Sequence, residues 1–99
     1  MLKQKTAAAD REREEEMNML AKIFIKPKKG ILDPQGKAVS GALGRLGFNR
    51  IQDVRIGKYI EIKLDEQDRA AAQSEVRRMC ETLLVNKVIE DFTFEVTGE

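Results

Sequence analysis

The sequence has 99 residues, which is the length of one domain and too short for most multidomain enzyme architectures. Eighteen basic against 17 acidic residues leave a net charge of +1, whereas nucleic-acid-binding domains usually carry a basic excess. Histidine is absent and cysteine occurs once, which excludes an intramolecular disulfide and a cysteine-cluster metal site and argues against a self-contained hydrolase. We therefore predict a binding protein with no catalytic or metal-binding residues of its own.

The same composition bears on localisation. No segment approaches the roughly 18 consecutive apolar residues of a transmembrane helix. The N-terminus also lacks the apolar stretch of a secretory signal. We expect a cytoplasmic protein that has no membrane partner.

Residues 1–19 differ in composition from the rest of the chain. Basic and acidic side chains alternate there with nearly cancelling charge, and no continuous apolar face is present to dock a helix. We predict a charged N-terminal extension over residues 1–19, helical or disordered, followed by one domain over residues 20–99. A partner-binding arm is the alternative interpretation of the extension.

The first strand and the first helix have clear boundaries. Ala21, Ile23 and Ile25 alternate with more polar positions, which predicts a half-buried strand that ends at Pro27. Asp33 is suited to cap a helix that begins at Pro34. The apolar positions of this helix recur every three to four residues and are Ala38, Val39, Ala42, Leu43 and Leu46. Gly47 follows them and suits a helix terminus.

The middle of the chain predicts a hairpin. A strand over residues 51–56 is followed by Gly57 and Lys58, which suit a tight turn, and then by a strand over residues 59–64. Arg55 and Lys58 flank this turn, and they could bind a carboxylate of a neighbouring subunit or a phosphate. A merely solvated turn is the alternative.

The last third of the sequence predicts a helix and a strand. The helix spans residues 68–84, and Asn86 suits a left-handed terminator. The apolar stripe of this helix consists of Ala72, Val76, Met79, Cys80, Leu83 and Leu84. A strand carrying Phe92, Phe94 and Val96 on one face follows. The order β-α-β-β-α-β predicts an α/β protein of the α+β two-layer type, ferredoxin-like, with two helices on one face of a four-stranded antiparallel sheet.

Three further patterns leave alternatives open. Gly41 and Gly44 lie inside the first helix, which indicates either a tight helix–sheet contact or a subunit contact. Cys80 lies on an apolar stripe and is interpreted as a core thiol. Phe24 and Tyr59 fall on the polar sheet face, as in RNA-recognition motifs, so a single-stranded nucleic-acid-binding module is the alternative function.

Five segments are not explained by composition and periodicity: ILDPQGKAV (31–39), ALGRLG (42–47), DVRIGKY (53–59), MCETLLVN (79–86) and VIEDFTFEV (88–96). Together they resemble the PurS family, the small subunit of phosphoribosylformylglycinamidine synthase. Within these segments we select candidate interface or structural residues: Asp33, Pro34, Gly36, Arg55, Gly57, Lys58 and Asn86. The resemblance covers residues 19–96, and the charged N-terminal extension is the departure from the family pattern.

The resemblance implies a non-catalytic subunit in the fourth step of purine biosynthesis. Such a subunit self-associates as a dimer or a dimer of dimers, and it docks a glutaminase subunit and an ATP-dependent synthetase subunit. Ammonia would then pass from glutamine to formylglycinamide ribonucleotide. The complex uses ATP and Mg²⁺, but this chain is expected to bind no cofactor and to have neither nucleic acid nor membrane as a partner.

Overall fold

The computed structural model describes residues 18–98. Its elements are β1 (Met19–Pro27), α1 (Pro34–Arg45), β2 (Lys58–Leu64), α2 (Arg69–Met79), a π-helical turn (Cys80–Leu84) and β3 (Glu90–Gly98). Residues 1–17 of the predicted extension lie outside the described residues, so its helical or disordered state stays a prediction.

The sheet has three antiparallel strands in the order β2-β1-β3. The central position of β1 follows from its composition, because Ala21, Ile23 and Ile25 alternate onto one face and are almost completely buried. Ile23 lies opposite Ile60 of β2 and Phe94 of β3, so apolar residues of all three strands meet on the same face.

Helix α2 covers this apolar face. Asp68 caps the helix by accepting a hydrogen bond from the Ala71 N–H at 3.3 Å. Ala72, Val76 and Cys80 recur every fourth position and are fully buried against the sheet. The core therefore lies between α2 and the three strands.

The π-helical turn changes which side chains the C-terminal end of this helix buries. A π-helical turn closes hydrogen bonds one residue further along than an α-helix, which rotates the following side chains. Leu83 is consequently 81% exposed, whereas Leu84 packs against the core. The prediction that both residues belong to one buried stripe is wrong for Leu83.

The predicted fold class is confirmed, because the chain combines an antiparallel sheet with two helices, one of which packs on the sheet. The strand predicted over residues 51–56 is not formed in the described part of the chain. Residues 51–56 are not turned back alongside β2, because Lys58 already pairs with Ile25 of β1 and the Ile56 N–H is donated to the Asp33 carboxylate instead of to a strand. The observed order is β-α-β-α-β, with three strands rather than four.

Helix α1 also differs from the prediction. It begins at Pro34 and is followed by Gly47 in a left-handed conformation (φ +101°), as predicted. None of its side chains belongs to the core of the described residues, and the helix lies away from the sheet that α2 covers. Only one of the two helices therefore packs on the sheet within a single copy.

Candidate interaction site at one end of the sheet

Asp33 connects the start of α1 to the segment before β2. The Gly36 N–H donates to Asp33 Oδ1 at 3.0 Å, which caps the helix. The Ile56 N–H donates to the other oxygen, Oδ2, at 2.9 Å. One carboxylate thus satisfies two backbone donors in segments far apart in the sequence.

These two hydrogen bonds also set the ionisation of Asp33. The N–H groups of Ile56 and Gly36, in that order, lower the pKa of the carboxyl group below its usual value. The Arg55 charge adds a smaller effect in the same direction, while burial opposes it. Asp33 is therefore held as a carboxylate over a wider pH range than an exposed aspartate.

Arg55 is anchored within its own chain. Its Nη2 donates to the Lys28 carbonyl at 2.9 Å, and its Nε lies 3.7 Å from Asp53 Oδ2. The side chain is 29% exposed. The predicted hairpin with Arg55 beside its turn is not formed, and the Lys28 carbonyl, directly after β1, accepts a hydrogen bond from the guanidinium.

Gly36 and Gly57 mark two places where backbones approach each other closely. A Cβ on Gly36 would collide with the Val54 carbonyl oxygen, and a Cβ on Gly57 would collide with the Ile25 carbonyl oxygen. Both glycines are needed for space, since neither has a positive φ. They allow residues 51–57 to lie against both α1 and β1.

Two ion pairs join the strand ends. Lys58 Nζ lies 3.4 Å from Glu90 Oε2, and Lys28 Nζ lies 3.2 Å from Asp91 Oδ1. The Asn86 N–H donates to Glu90 Oε1 at 2.9 Å and is the main cause of the lowered pKa of Glu90, with Lys58 adding to it. Lys58 therefore faces its own chain, although its side chain remains 62% exposed.

Asn86 forms a turn, but it is not a left-handed helix terminator. Its side-chain oxygen accepts a hydrogen bond from the Val88 N–H at 3.1 Å, and its carbonyl accepts from the Glu90 N–H at 2.7 Å. No non-glycine residue in the described chain has a positive φ, and Val85, directly after the helix, is already extended. That part of the prediction is wrong.

The seven candidate residues therefore converge on one end of the sheet, where β1 ends and β2 and β3 begin. Sequence reasoning missed three residues that complete this cluster: Lys28, Glu90 and Asp91. The signal that could have found them is antiparallel pairing, since it places the end of β1 beside the starts of β2 and β3. We call this group of ten residues the strand-end cluster.

The strand-end cluster holds segments together and has no groups arranged for catalysis. No set of three or more acidic or cysteine side chains in the described residues could hold a metal ion. Cys80 is fully buried in the core, and burial raises the pKa of its thiol, which favours the core-thiol interpretation. No helix in residues 18–98 is long and apolar enough to cross a membrane.

A broad apolar surface lies on and around α1. Leu46 is 73% exposed and Phe48 57% exposed, and Leu32 and Val39 are also exposed. A Cβ on Gly44 would meet no atom within 4 Å, and one on Gly41 would meet only the end of the Arg45 side chain. The tight helix–sheet contact that could explain these glycines is absent within one copy, so the subunit contact remains.

A second apolar region lies between β2 and the C-terminal end of α2. It forms a groove of about 560 Å³ whose lining includes Ile62, Met79 and Leu83. In a sheet carrying two packed helices, this is the side that the second helix would cover. Here α1 lies elsewhere, so the groove is open.

The outer sheet face brings together Phe24 and Tyr59, whose ring centroids are 5.1 Å apart. The Tyr59 hydroxyl donates to Glu61 at 2.6 Å. Lys22 lies opposite Glu61 and Glu95 in the two neighbouring strands. The aromatic pair expected for an RNA-binding face is present, but carboxylates on both sides of the lysine oppose the binding of a phosphate backbone.

Comparison with known proteins identifies the family. The PurS family model, described as phosphoribosylformylglycinamidine (FGAM) synthase, matches residues 20–98. The synthase subunit PurS of Bacillus subtilis (strain 168) is 48% identical over 75 residues, which cover 76% of this chain and 88% of the relative.

Two solved structures are similar in fold. The crystal structure of PurS from Methanocaldococcus jannaschii, described as one of the subunits of formylglycinamide ribonucleotide amidotransferase, is 38% identical with a TM-score of 0.73. The match covers 82% of the present chain and 98% of the Methanocaldococcus jannaschii chain. A chain in the structure of PurLQS from Thermotoga maritima has the same fold, with a TM-score of 0.74 and 24% identity. The match covers 81% of the present chain and 98% of the Thermotoga maritima chain. This chain belongs to the PurS family and is a subunit of phosphoribosylformylglycinamidine synthase, a glutamine-dependent ligase complex of purine biosynthesis.

Proposed function

We propose that this chain is a non-catalytic docking subunit of the synthase. It holds a glutaminase subunit against an ATP-dependent synthetase subunit, so that ammonia released from glutamine reaches formylglycinamide ribonucleotide. ATP and Mg²⁺ are bound by the synthetase subunit and not by this chain. A sealed contact has a chemical purpose here, because ammonia released into water would be protonated or lost.

The observation that supports this role is the exposed apolar surface on and around α1. Large apolar side chains that remain exposed together on a small protein mark sites of association. The strand-end cluster fixes α1 to the sheet through Asp33, which presents this surface in a defined direction. The polar side chains around it bind backbone groups and do not form an acid–base pair.

Reconstitution with the two larger subunits tests the docking role. With glutamine as nitrogen source, we expect synthesis to depend on this chain, and with ammonium chloride it should not. The ammonium reaction is the matched control, because it needs the synthetase but no ammonia transfer. An equal effect of the chain on both reactions, or turnover by the chain alone, would contradict the proposal.

We also propose that the chain self-associates by exchanging α1. The apolar side of α1 itself fills the groove beside Ile62, Met79 and Leu83 of a second copy, and the second copy does the same in return. Leu32 and Phe48, which flank the helix, stay available to the larger subunits. The two surfaces are complementary, because α1 has an apolar side that packs on no sheet, and the groove beside β2 is an apolar side of the sheet that no helix covers. Gly41 and Gly44 would allow close approach between the copies.

The oligomeric state of two variants tests this arrangement. Light scattering should give a multiple of the 11.2 kDa chain for the wild type and a monomer for Leu46→Asp. Val88→Asp is the matched control, since Val88 is 80% exposed and lies in neither surface. A wild-type mass of one chain, or dissociation caused equally by both variants, would contradict the exchange of α1.

A further inference from the structure

A groove of about 660 Å³ runs along the free edge of β3, separate from α1 and from the groove beside β2. Its floor includes Phe92 and Phe94, whose rings stack with centroids 6.3 Å apart. Its wall on α2 includes Gln73, Ser74 and Arg77. The residues that line this groove include no carboxylate, so its surface combines aromatic and polar neutral side chains with one positive charge.

The direction of the backbone groups along this edge follows from two hydrogen bonds. The Lys28 N–H donates to the Ile89 carbonyl at 2.8 Å, so odd-numbered positions near the start of β3 turn their backbone groups toward β1. Even-numbered positions then face outward. The Arg69 side chain agrees with this alternation, because its Nη1 donates to the Val96 carbonyl at 2.8 Å.

Phe92 and Phe94 therefore turn their backbone N–H and C=O groups outward at the free edge of β3, beside the groove. They pair with Ile25 and Ile23 of β1 at positions where the strands exchange no hydrogen bonds. No other described residue supplies a partner on the outer side. Unpaired backbone groups at a sheet edge are a template for an additional strand.

Arg77 adds a second recognition element at the same place. Its guanidinium carbon lies 5.2 Å from the Phe94 ring centroid and 5.9 Å from the Phe92 ring centroid. None of the ion pairs among the described residues involves this guanidinium. The rings hold the cation in place, and its planar N–H groups remain able to bind a carboxylate in a two-point contact.

We propose that this groove binds an extended peptide segment of a partner polypeptide, which adds to the edge of β3 and places a carboxylate side chain on Arg77. The backbone groups of Phe92 and Phe94 favour an extended segment over a helix, because the backbone groups of a helix are already paired internally. The positive charge, with no acidic residue in the lining, selects an acidic side chain.

The full-length chain and two blocked synthetic peptides test this proposal. The probe is acetyl-Ser-Thr-Val-Glu-Val-Thr-Ser-amide, and its control carries Gln in place of Glu. In an amide nuclear magnetic resonance titration, we expect saturable shifts at Phe92, Thr93 and Phe94 and along the facing side of α2. The Glu peptide should bind about three- to fivefold more tightly than the Gln peptide, the range for one exposed ion pair.

Two variants separate the contribution of Arg77 from a general charge effect. Arg77→Gln should remove the difference between the two peptides, whereas Lys87→Gln, at an exposed position that lines neither this groove nor the groove beside β2, should preserve it. The comparison of peptides on the wild-type chain needs no variant, so a folding defect of Arg77→Gln would leave that test intact. Absence of shifts at millimolar peptide, equal affinity for both peptides, or occupation of the β3 edge by a second copy would overturn the proposal.

Discussion

The Asp33 carboxylate binds the backbone N–H groups of Gly36 and Ile56 at 3.0 and 2.9 Å, which joins α1 to a segment 23 residues from Asp33. Since α1 has no side chain in the core, this connection is a main determinant of where the helix lies relative to the sheet. The same residue therefore has a local role as a helix cap and a long-range role as a tether.

Replacing Asp33 by Asn should destabilise the fold measurably. An amide offers one oxygen acceptor and an NH₂ group that cannot accept a hydrogen bond, so one of the two N–H donors loses its partner. We expect the melting temperature to fall by about 4–8 °C. Asp53→Asn is the control, because that side chain is 74% exposed and its ion pair is 3.7 Å long. Equal melting temperatures for the two variants would contradict the tether.

Acid should weaken the fold through Asp33 and Glu90. Both carboxyl groups have a folded-state pKa below their ordinary values of 3.8 and 4.5. Their stabilising effect is complete above the ordinary values and is lost as the pH falls through the lowered ones. We expect the urea midpoint to decrease as the pH falls below about 4.5. The urea midpoint should decrease less with falling pH in the double variant Asp33→Asn, Glu90→Gln. If the midpoints of the wild type and of the double variant fall in parallel, Asp33 and Glu90 are not the groups responsible.

Tyr59 should titrate at unusually high pH. Its hydrogen bond to Glu61 is the main cause that raises the pKa of the phenol to about 12, with burial and the Glu61 charge adding to it. Because Tyr59 is the one tyrosine of the chain, its ultraviolet absorbance can be followed without interference. Glu61→Gln should return the midpoint toward the ordinary value of 10.0. A wild-type midpoint already near that value would disprove the contact.

A side chain at Gly57 should strain the junction between residues 51–57 and β1. The new Cβ of Gly57→Ala would collide with the Ile25 carbonyl oxygen, and we expect a loss of about 1–3 kcal/mol in the free energy of unfolding. Gly44→Ala is the control within the same chain, because its Cβ meets open space inside a helix. Denaturant unfolding at low protein concentration should show no loss for Gly44→Ala; a loss equal to that of Gly57→Ala would argue against a specific collision.

Arg55 and Lys58 should differ when each is replaced by Ala. Arg55→Ala removes one of the two hydrogen-bond donors to the Lys28 carbonyl, since the Ile31 N–H remains, and we expect a loss of about 0.5–1.5 kcal/mol of stability. Lys58→Ala should change stability by less than about 0.5 kcal/mol, because its ion pair with Glu90 is largely exposed on the lysine side. Chemical denaturation of both single variants distinguishes the two roles, and the reverse order of stabilities would contradict the structure.

Local sequence signals were sufficient for most element boundaries. The alternation at Ala21, Ile23 and Ile25 predicted β1, and the Asp33-Pro34 pair predicted the start of α1, because period and capping depend on neighbouring residues. The sequence also selected the seven candidate residues that meet at one end of the sheet. It did not identify Lys28, Glu90 and Asp91, because their partners are set by strand pairing across long sequence separations.

The sequence by itself determined where the three strands and two helices form, since these depend on local periodicity, caps and turns. Only the tertiary structure decided that residues 51–56 form no strand, because the Ile56 N–H is donated to Asp33, 23 residues away, instead of to a neighbouring strand. It also decided that Arg55 binds a carbonyl of its own chain and that α1 lies away from the core. These outcomes depend on contacts between segments that are far apart in the sequence, and such contacts leave no periodic signal in it.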